Sequence, residues 1–267
     1  MRTRILAAAV ALGVLIPLLV FGGLAGAGFI FSMAIVICLG EYAQMAFPED
    51  FRYAFYWLCL TALPLALASL AAPPDNVPVL VGALCMLTMI QVTLAPPDPL
   101  AGALDRLGRY AVGVLWVGGL MPFLMRLRLL EDGVAWVLLA MTIAWMSDTG
   151  AYFAGKSVGR TPLYPLISPK KTWEGVAGGV AAALAGTFVV KATLLTDLTV
   201  IDCLVLGVVG SLMGVLGDLS ESLIKRAMHV KDSGWVMPGH GGLLDRLDAL
   251  LFVAPTVYGY YVFTRGL

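Results

Sequence analysis

Charge is scarce in this sequence. Only 13% of its 267 residues are Asp, Glu, Lys or Arg, and 60% are hydrophobic. A soluble domain carries about 25% charged and about 45–50% apolar residues. The mean hydropathy of +0.91 points the same way, so a water-soluble globular domain is excluded. The 17 basic and 17 acidic residues cancel, which leaves no basic excess for nucleic acid. Histidine is nearly absent: His229 and His240 are too few for a His-rich zinc site. Cys38, Cys59, Cys85 and Cys203 each lie in an apolar run, and no two form a C-x-x-C pair. They read as small buried hydrophobes. No internal repeat stands out.

Long apolar runs are what the chain does have. Arg2 and Arg4 precede an apolar stretch from Ile5 to Leu24. A secretory h-region is about 7–15 residues long, so this longer stretch reads as an uncleaved first span. Membrane helices need about 20 apolar residues. Candidates fall near 5–22, 25–45, 53–71, 77–95, 109–127, 133–153, 173–194, 201–221 and 248–264. Pro48, Pro73-Pro74 and Pro96-Pro97 punctuate the early junctions. The expected fold is all-α, a polytopic integral membrane protein with about nine transmembrane helices. About five spans lie in residues 1–130 and about four in a C-terminal region, 131–267, that carries the chemistry. Glu41 is the one acid well inside an early span boundary and reads as an interfacial anchor.

Orientation follows from Lys and Arg placement. With the N-terminus in the cytoplasm, 13 of the 17 basic residues fall on that side and 4 on the other. Eight of the 13 sit in two polar loops of the C-terminal half, and without them the split is 5 to 4. The first two far-side loops carry no Lys or Arg, which favours the same orientation.

The C-terminal half gathers the ionisable groups. Asp148 lies in the run W-M-S-D-T-G-A-Y-F, inside the sixth candidate span. A lone carboxylate there costs about 2.5–3.5 kcal/mol on insertion scales, so it needs a wet cavity or a helix–helix hydrogen bond. The next loop holds I-S-P-K-K-T-W-E-G, residues 167–175. Ser-Pro is ordinary helix-start chemistry. Lys170 and Lys171 beside a helix N-terminus fit a phosphate site, and a positive-inside anchor explains them equally well. In the eighth span Asp218, Glu221, Ser222 and Lys225 are three or four residues apart and share one helix face. Lys231-Asp232-Ser233-Gly234 follows, then Pro238-Gly239-His240-Gly241-Gly242-Leu243-Leu244-Asp245-Arg246-Leu247-Asp248. The glycines let backbone N–H groups approach a ligand. Asp245 and Asp248 point the same way at the start of the last helix. Capping by Asp245 would explain one of these acids but not Asp248, Asp218 and Asp148. Hard oxygen ligands grouped in this way suit Mg²⁺, which uses about one or two carboxylates plus substrate phosphates.

The stretch from Ser222 to Asp248, S-L-I-K-R-A-M-H-V-K-D-S-G-W-V-M-P-G-H-G-G-L-L-D-R-L-D, resembles the signature of the phosphatidate cytidylyltransferases, or CDP-diacylglycerol synthases. The pattern is Ser, any residue, apolar, Lys-Arg, four residues, Lys-Asp, then Pro-x-His-Gly-Gly and Asp-Arg-x-Asp. Met237 departs from the usual Leu, Ile or Phe and is nearly isosteric. D-T-G-A-Y-F, I-S-P-K-K-T-W-E-G and G-D-L-S-E-S are similar to the family too. The resemblance is specific from about Asp148 to Asp248; before that it is one of hydropathy and length.

That resemblance implies a reaction of phosphatidic acid with CTP and Mg²⁺ that yields CDP-diacylglycerol and pyrophosphate, in a homodimer. It implies Asp218 and Asp245 as leading metal ligands, with Asp248 beside them, and Lys225 among the catalytic groups. Asp148, Lys170, Lys171, Ser222, Arg226, Lys231, Asp232, His240, Gly241, Gly242 and Arg246 are the expected substrate-binding set. The site is expected to face the cytoplasm of a bacterial plasma membrane. Rival readings are a cytidylyltransferase acting on another lipid phosphate, an ion-coupled transporter and a membrane scaffold. A transporter predicts polar residues spread through the bilayer depth, whereas here they crowd one side. A scaffold leaves the grouped acids unexplained.

Overall fold

In hydrocarbon a backbone must satisfy its own N–H and C=O groups, and a helix does this within one segment. The apolar runs accordingly become helices. The computed structural model describes residues 13, 16–71, 77–234, 236 and 241–266. Its elements are α1 (Gly23–Ala46), α2 (Phe51–Ala71), α3 (Val77–Leu94), α4 (Ala103–Gly113), α5 (Pro122–Leu129), α6 (Gly133–Val158), β1 (Pro162–Tyr164), β2 (Ser168–Thr172), α7 (Trp173–Thr193), α8 (Val200–Ala227) and α9 (Leu244–Arg265).

Seven described helical segments are long and apolar enough to cross a membrane, with a shorter apolar helix at Gly82–Leu94. The expected span at 5–22 lies largely outside the described residues, although residues 16–21 are helical. The span expected at 109–127 is not one uniform helix. A π-helical stretch, Val114–Gly119, joins α4 to α5. Outward faces are as apolar as inward ones: Phe29 and Met33 on α1 and Leu212 and Leu216 on α8 are exposed. A helix that is apolar all round belongs in lipid.

Two departures from the expectation concern the polar loops. The segment after α6 is a short antiparallel hairpin, with Pro162 opposite Thr172 and Tyr164 opposite Ser168. Ser168 and Pro169 therefore sit in β2 rather than starting a helix. The start of α7 is made by Thr172, whose side chain accepts the Gly175 N–H at 3.1 Å. Glu174 reaches back to accept the Arg160 N–H at 3.1 Å and the Thr161 hydroxyl at 2.9 Å, which ties the hairpin to the helix.

The chain packs as two units. The first is Met1–Met125 with Ser233–Leu244, and the second is Arg126–Asp232 with Asp245–Leu267. In the first unit Tyr42 donates its hydroxyl to the Arg109 carbonyl at 2.6 Å, and Arg109 donates to the Ala46 carbonyl at 2.8 Å. Phe47 stacks on Tyr110, with ring centres 4.3 Å apart. Glu41 is not an interfacial anchor. It is 4% exposed and accepts the N–H groups of Leu243 and Leu244 at 2.8 Å each.

In the second unit α6 packs on α7 and α8, and α7 packs on α8. Ser147 of α6 and Ser211 of α8 share a buried hydrogen bond at 2.7 Å. At the other end of α8, Thr199 and Asp202 form a reciprocal cap, and Tyr260 of α9 donates to Asp202 at 2.5 Å. The approach of α6 and α7 depends on glycine. A Cβ on Gly178 would run into the Ala154 side chain and lie 3.0 Å from the Gly150 carbonyl. Gly178→Val is therefore expected to destabilise the protein by about 1–3 kcal/mol, the usual cost of overpacking. Gly108→Ala, where an added Cβ meets nothing within 4 Å, is expected to be neutral. Thermal unfolding in detergent micelles checks the pair; equal melting temperatures would contradict the packing argument.

Candidate active site

Four elements of the second unit supply the polar groups. Asp148 comes from the C-terminal part of α6 and Lys170 and Lys171 from β2. Asp218, Glu221, Ser222, Lys225 and Arg226 come from the C-terminal part of α8, and Asp245, Arg246 and Asp248 from the start of α9. The α8 set faces one way because residues three and four apart share a helix face. Ser222 donates to Asp218 at 3.3 Å, and Lys225 lies 3.1 Å from Glu221, each pair one turn apart.

The start of α9 is brought against this stripe by a glycine. A Cβ on Gly217 would lie 2.5 Å from the Asp248 carbonyl oxygen and 3.2 Å from the Phe252 side chain. Only hydrogen at that position lets the two helices come so close, and Asp218 is the next residue along.

Two lysines hold acids. Lys171 pairs with Asp218 at 2.6 Å across the gap from β2 to α8. Lys225 pairs with Glu221 at 3.1 Å and Asp245 at 2.6 Å, which links α8 to α9. Glu221 is fully buried and feels the charge of Asp248, whose carboxylate accepts the Ala249 N–H at 2.7 Å. Asp148 feels the charges of Asp248, Asp218, Lys171 and Arg246. A cavity of about 280 Å³ opens beside them, lined on its polar side by Asp148, Lys170, Lys171, Thr172 and Asp218.

These contacts join Asp148, Lys170, Lys171, Asp218, Ser222, Lys225, Asp245 and Asp248 in one connected region. Arg226 instead turns toward backbone carbonyls, with Nη1 3.4 Å from Val230 O and Nε 3.5 Å from Ile167 O. Lys231 and Asp232 are exposed on the turn after α8. His240 lies outside the described residues. Gly241 and Gly242 are described and belong to the first unit. Glu41 accepts the N–H groups of Leu243 and Leu244 at the start of α9. The Asp245 carboxylate is engaged by Lys225.

Two acids gain a role beyond the sequence reading. Glu221 stood on the α8 stripe with no function assigned, and burial at 0% exposure makes it the acid that orients Lys225. Glu174 braces the hairpin that presents Lys170 and Lys171. The signal for Glu221 was present in the spacing; that for Glu174 needed the hairpin.

Two acids, Asp148 and Asp218, and two bases, Lys170 and Lys171, line a compact cavity, charged groups of the kind that transfer of a phosphorylated group uses. Comparison with known proteins agrees. A family model described as the cytidylyltransferase family matches residues 2–264. The chain belongs to the cytidylyltransferase family. It is 32% identical over 255 residues, 96% of each chain, to a Staphylococcus epidermidis protein named phosphatidate cytidylyltransferase. Proteins of the same name are 40% identical over 155 residues in Bacillus subtilis, 58% of each chain, and 40% identical over 157 residues in Haemophilus influenzae, 54% of each chain.

Within this cytidylyltransferase the Lys225 hub is open to a direct test. Lys225, Glu221 and Asp245 are 12%, 0% and 10% exposed, so their charges are poorly screened. Removing one partner of a buried pair costs about 3–5 kcal/mol, whereas replacing both is often close to neutral. Lys225→Met is expected to lose stability in that range, and Lys225→Met with Glu221→Gln to regain part of it. Both should lack activity. Denaturant or thermal titration in micelles measures the cycle, and strictly additive effects would contradict the coupling.

Proposed function

We propose that the chain is a phosphatidate cytidylyltransferase, a membrane enzyme of phospholipid biosynthesis. It transfers CMP from CTP to phosphatidic acid and gives CDP-diacylglycerol and pyrophosphate. The observation that carries this reading is likeness across 96% of the chain to a relative of that name. The paired acids and lysines of the second unit agree with it.

A phosphate oxygen of phosphatidic acid attacks the α-phosphorus of CTP in line, and pyrophosphate leaves. The nucleophile is already an anion, so no strong general base is needed. The work is to bring two anions together and hold them aligned. Lys170 and Lys171 flank the cavity and suit a triphosphate or lipid phosphate. Lys225, Arg226, Lys231 and Arg246 supply further positive charge, Asp148 adds to the polar lining, and Ser222 donates to Asp218 beside it. Asp232, His240, Gly241 and Gly242 belong to the same reading as contacts or shapers of the connecting segment.

The residues fit a divalent cation. Asp148, Asp218, Glu221, Asp245 and Asp248 outnumber Lys171, Lys225 and Arg246 around them. Among the described residues no group of three or more acids, histidines or cysteines forms a ready-made cage. Mg²⁺ does not need one, because substrate phosphates complete its shell. Asp218, Asp245 and Asp248 would hold it, and it would neutralise phosphate charge and steady the leaving pyrophosphate. Lys171 and Lys225, which neutralise Asp218 and Asp245, would then be released to phosphate oxygens.

A cytoplasmic site and a homodimer are part of the proposal. The first is supported by the basic loops, and the second rests on the family resemblance.

Purified protein with phosphatidic acid, Mg²⁺ and each of the four nucleoside triphosphates should release pyrophosphate with CTP far more than with the others. A different lipid phosphate working better would reassign the acceptor. Asp218→Asn and Asp245→Asn should insert normally and lose about 100-fold or more of Mg²⁺-dependent CMP transfer, and full activity would remove that residue from the site. A cysteine at position 232 in sealed vesicles of known sidedness should react only with reagent on the cytoplasmic face; labelling from outside would reverse the orientation.

A further inference from the structure

Glu41 is the only Asp, Glu, Lys or Arg in α1, a helix of 24 residues. It lies 202 residues before Leu243, one of its hydrogen-bond donors, and is 4% exposed. One carboxylate oxygen accepts the Leu243 N–H and the other the Leu244 N–H, each at 2.8 Å. The glycines around it have their reason here. A Cβ on Gly234 would lie 2.8 Å from Glu41 Oε1, and one on Gly242 2.6 Å from Glu41 Oε2 and in collision with the Ser233 hydroxyl. Gly241 adopts φ +79°, a left-handed turn that favours glycine. Ser233 is 2% exposed, so this part of the segment closes over the carboxylate.

The two N–H groups open α9 and would otherwise lack an intrahelical partner. A free helix N-terminus attracts anions, and here an internal anion has already taken it. We propose that Glu41 is a positioning residue for CMP transfer. It holds the residues leading into α9, and so fixes the start of the helix from which Asp245 projects, one peptide bond beyond Leu244. The role rests on the cytidylyltransferase reading, since it acts through Asp245. It also implies that the Leu243 and Leu244 N–H groups are not phosphate ligands.

Two measurements on Glu41→Gln and Glu41→Asp test this in detergent-solubilised full-length protein. Gln keeps the shape but loses the charge and one of the two acceptor oxygens; Asp keeps both oxygens on a shorter arm. Amide hydrogen exchange should speed up about tenfold or more at Leu243 and Leu244 in the Gln variant and less in the Asp variant. Exchange in α6 to α8 should stay unchanged. In the CTP assay kcat should fall about tenfold or more for Gln, with partial recovery for Asp. Half-saturation by Mg²⁺ should rise, while KM for CTP moves less than kcat.

Wild-type exchange with full kcat in the Gln variant would overturn the proposal. Lost protection with unchanged kcat and Mg²⁺ dependence would also overturn it, leaving Glu41 a purely structural cap. If the Gln variant does not fold, the Asp variant decides by the same criteria. Wild-type protein inert toward CTP and phosphatidic acid would sink the functional reading and the positioning role with it. The exchange data would then show separately whether the Glu41 contact exists.

Discussion

Burying acids beside one another inside a membrane helix bundle is the constraint from which the second unit follows. Each carboxylate at depth costs about 2.5–3.5 kcal/mol on insertion scales, and an uncompensated buried charge costs more. Lys225 meets this by standing between Glu221 and Asp245, and Lys171 by crossing from β2 to Asp218. These pairs contribute little net stability, because desolvation offsets most of their attraction. They keep charged groups beside the cavity lined by Asp148, Lys170, Lys171 and Asp218.

Compensation needs proximity, and proximity needs small residues. Lys225 reaches both Glu221 and Asp245 because α8 and α9 meet at Gly217, where the Asp248 carbonyl occupies the space a Cβ would need. Between α6 and α7 the same device recurs at Gly178. Bilayers supply no hydrophobic drive between helices, so close backbone packing does that work. The glycines of this chain set which acids become neighbours, and electrostatics then decides what those neighbours can bind.

The span pattern and the grouping of acids were legible because hydropathy and helical spacing are local properties. The α8 stripe was readable from Asp218, Glu221, Ser222 and Lys225 alone, and two of its pairs are now contacts. The long-range partners were not readable. Nothing in the spacing tells that Lys171 finds Asp218 or that Lys225 chooses Asp245 as well as Glu221. The hairpin at 162–172 was hidden because Ser-Pro before a helix is a common start signal, and the Glu174 brace that favours the strands is a tertiary contact. The π-helical stretch at Val114–Gly119 leaves hydropathy unchanged and so left no trace in the apolar pattern.

Glu41 shows what such local reading leaves out. An acid near the end of an early apolar helix suggests an anchor at the membrane surface, since that costs least. Its burial means that something compensates, and two backbone N–H groups supply compensation at 2.8 Å each. Hydrogen bonds to a charged acceptor are stronger than neutral ones, about 1.5–3 kcal/mol against about 1. Two of them together are of the same order as the cost of bringing the carboxylate in. The glycines at 234 and 242 make room for this anion from within the chain, since a Cβ at either position would lie within 2.8 Å of the Glu41 carboxylate.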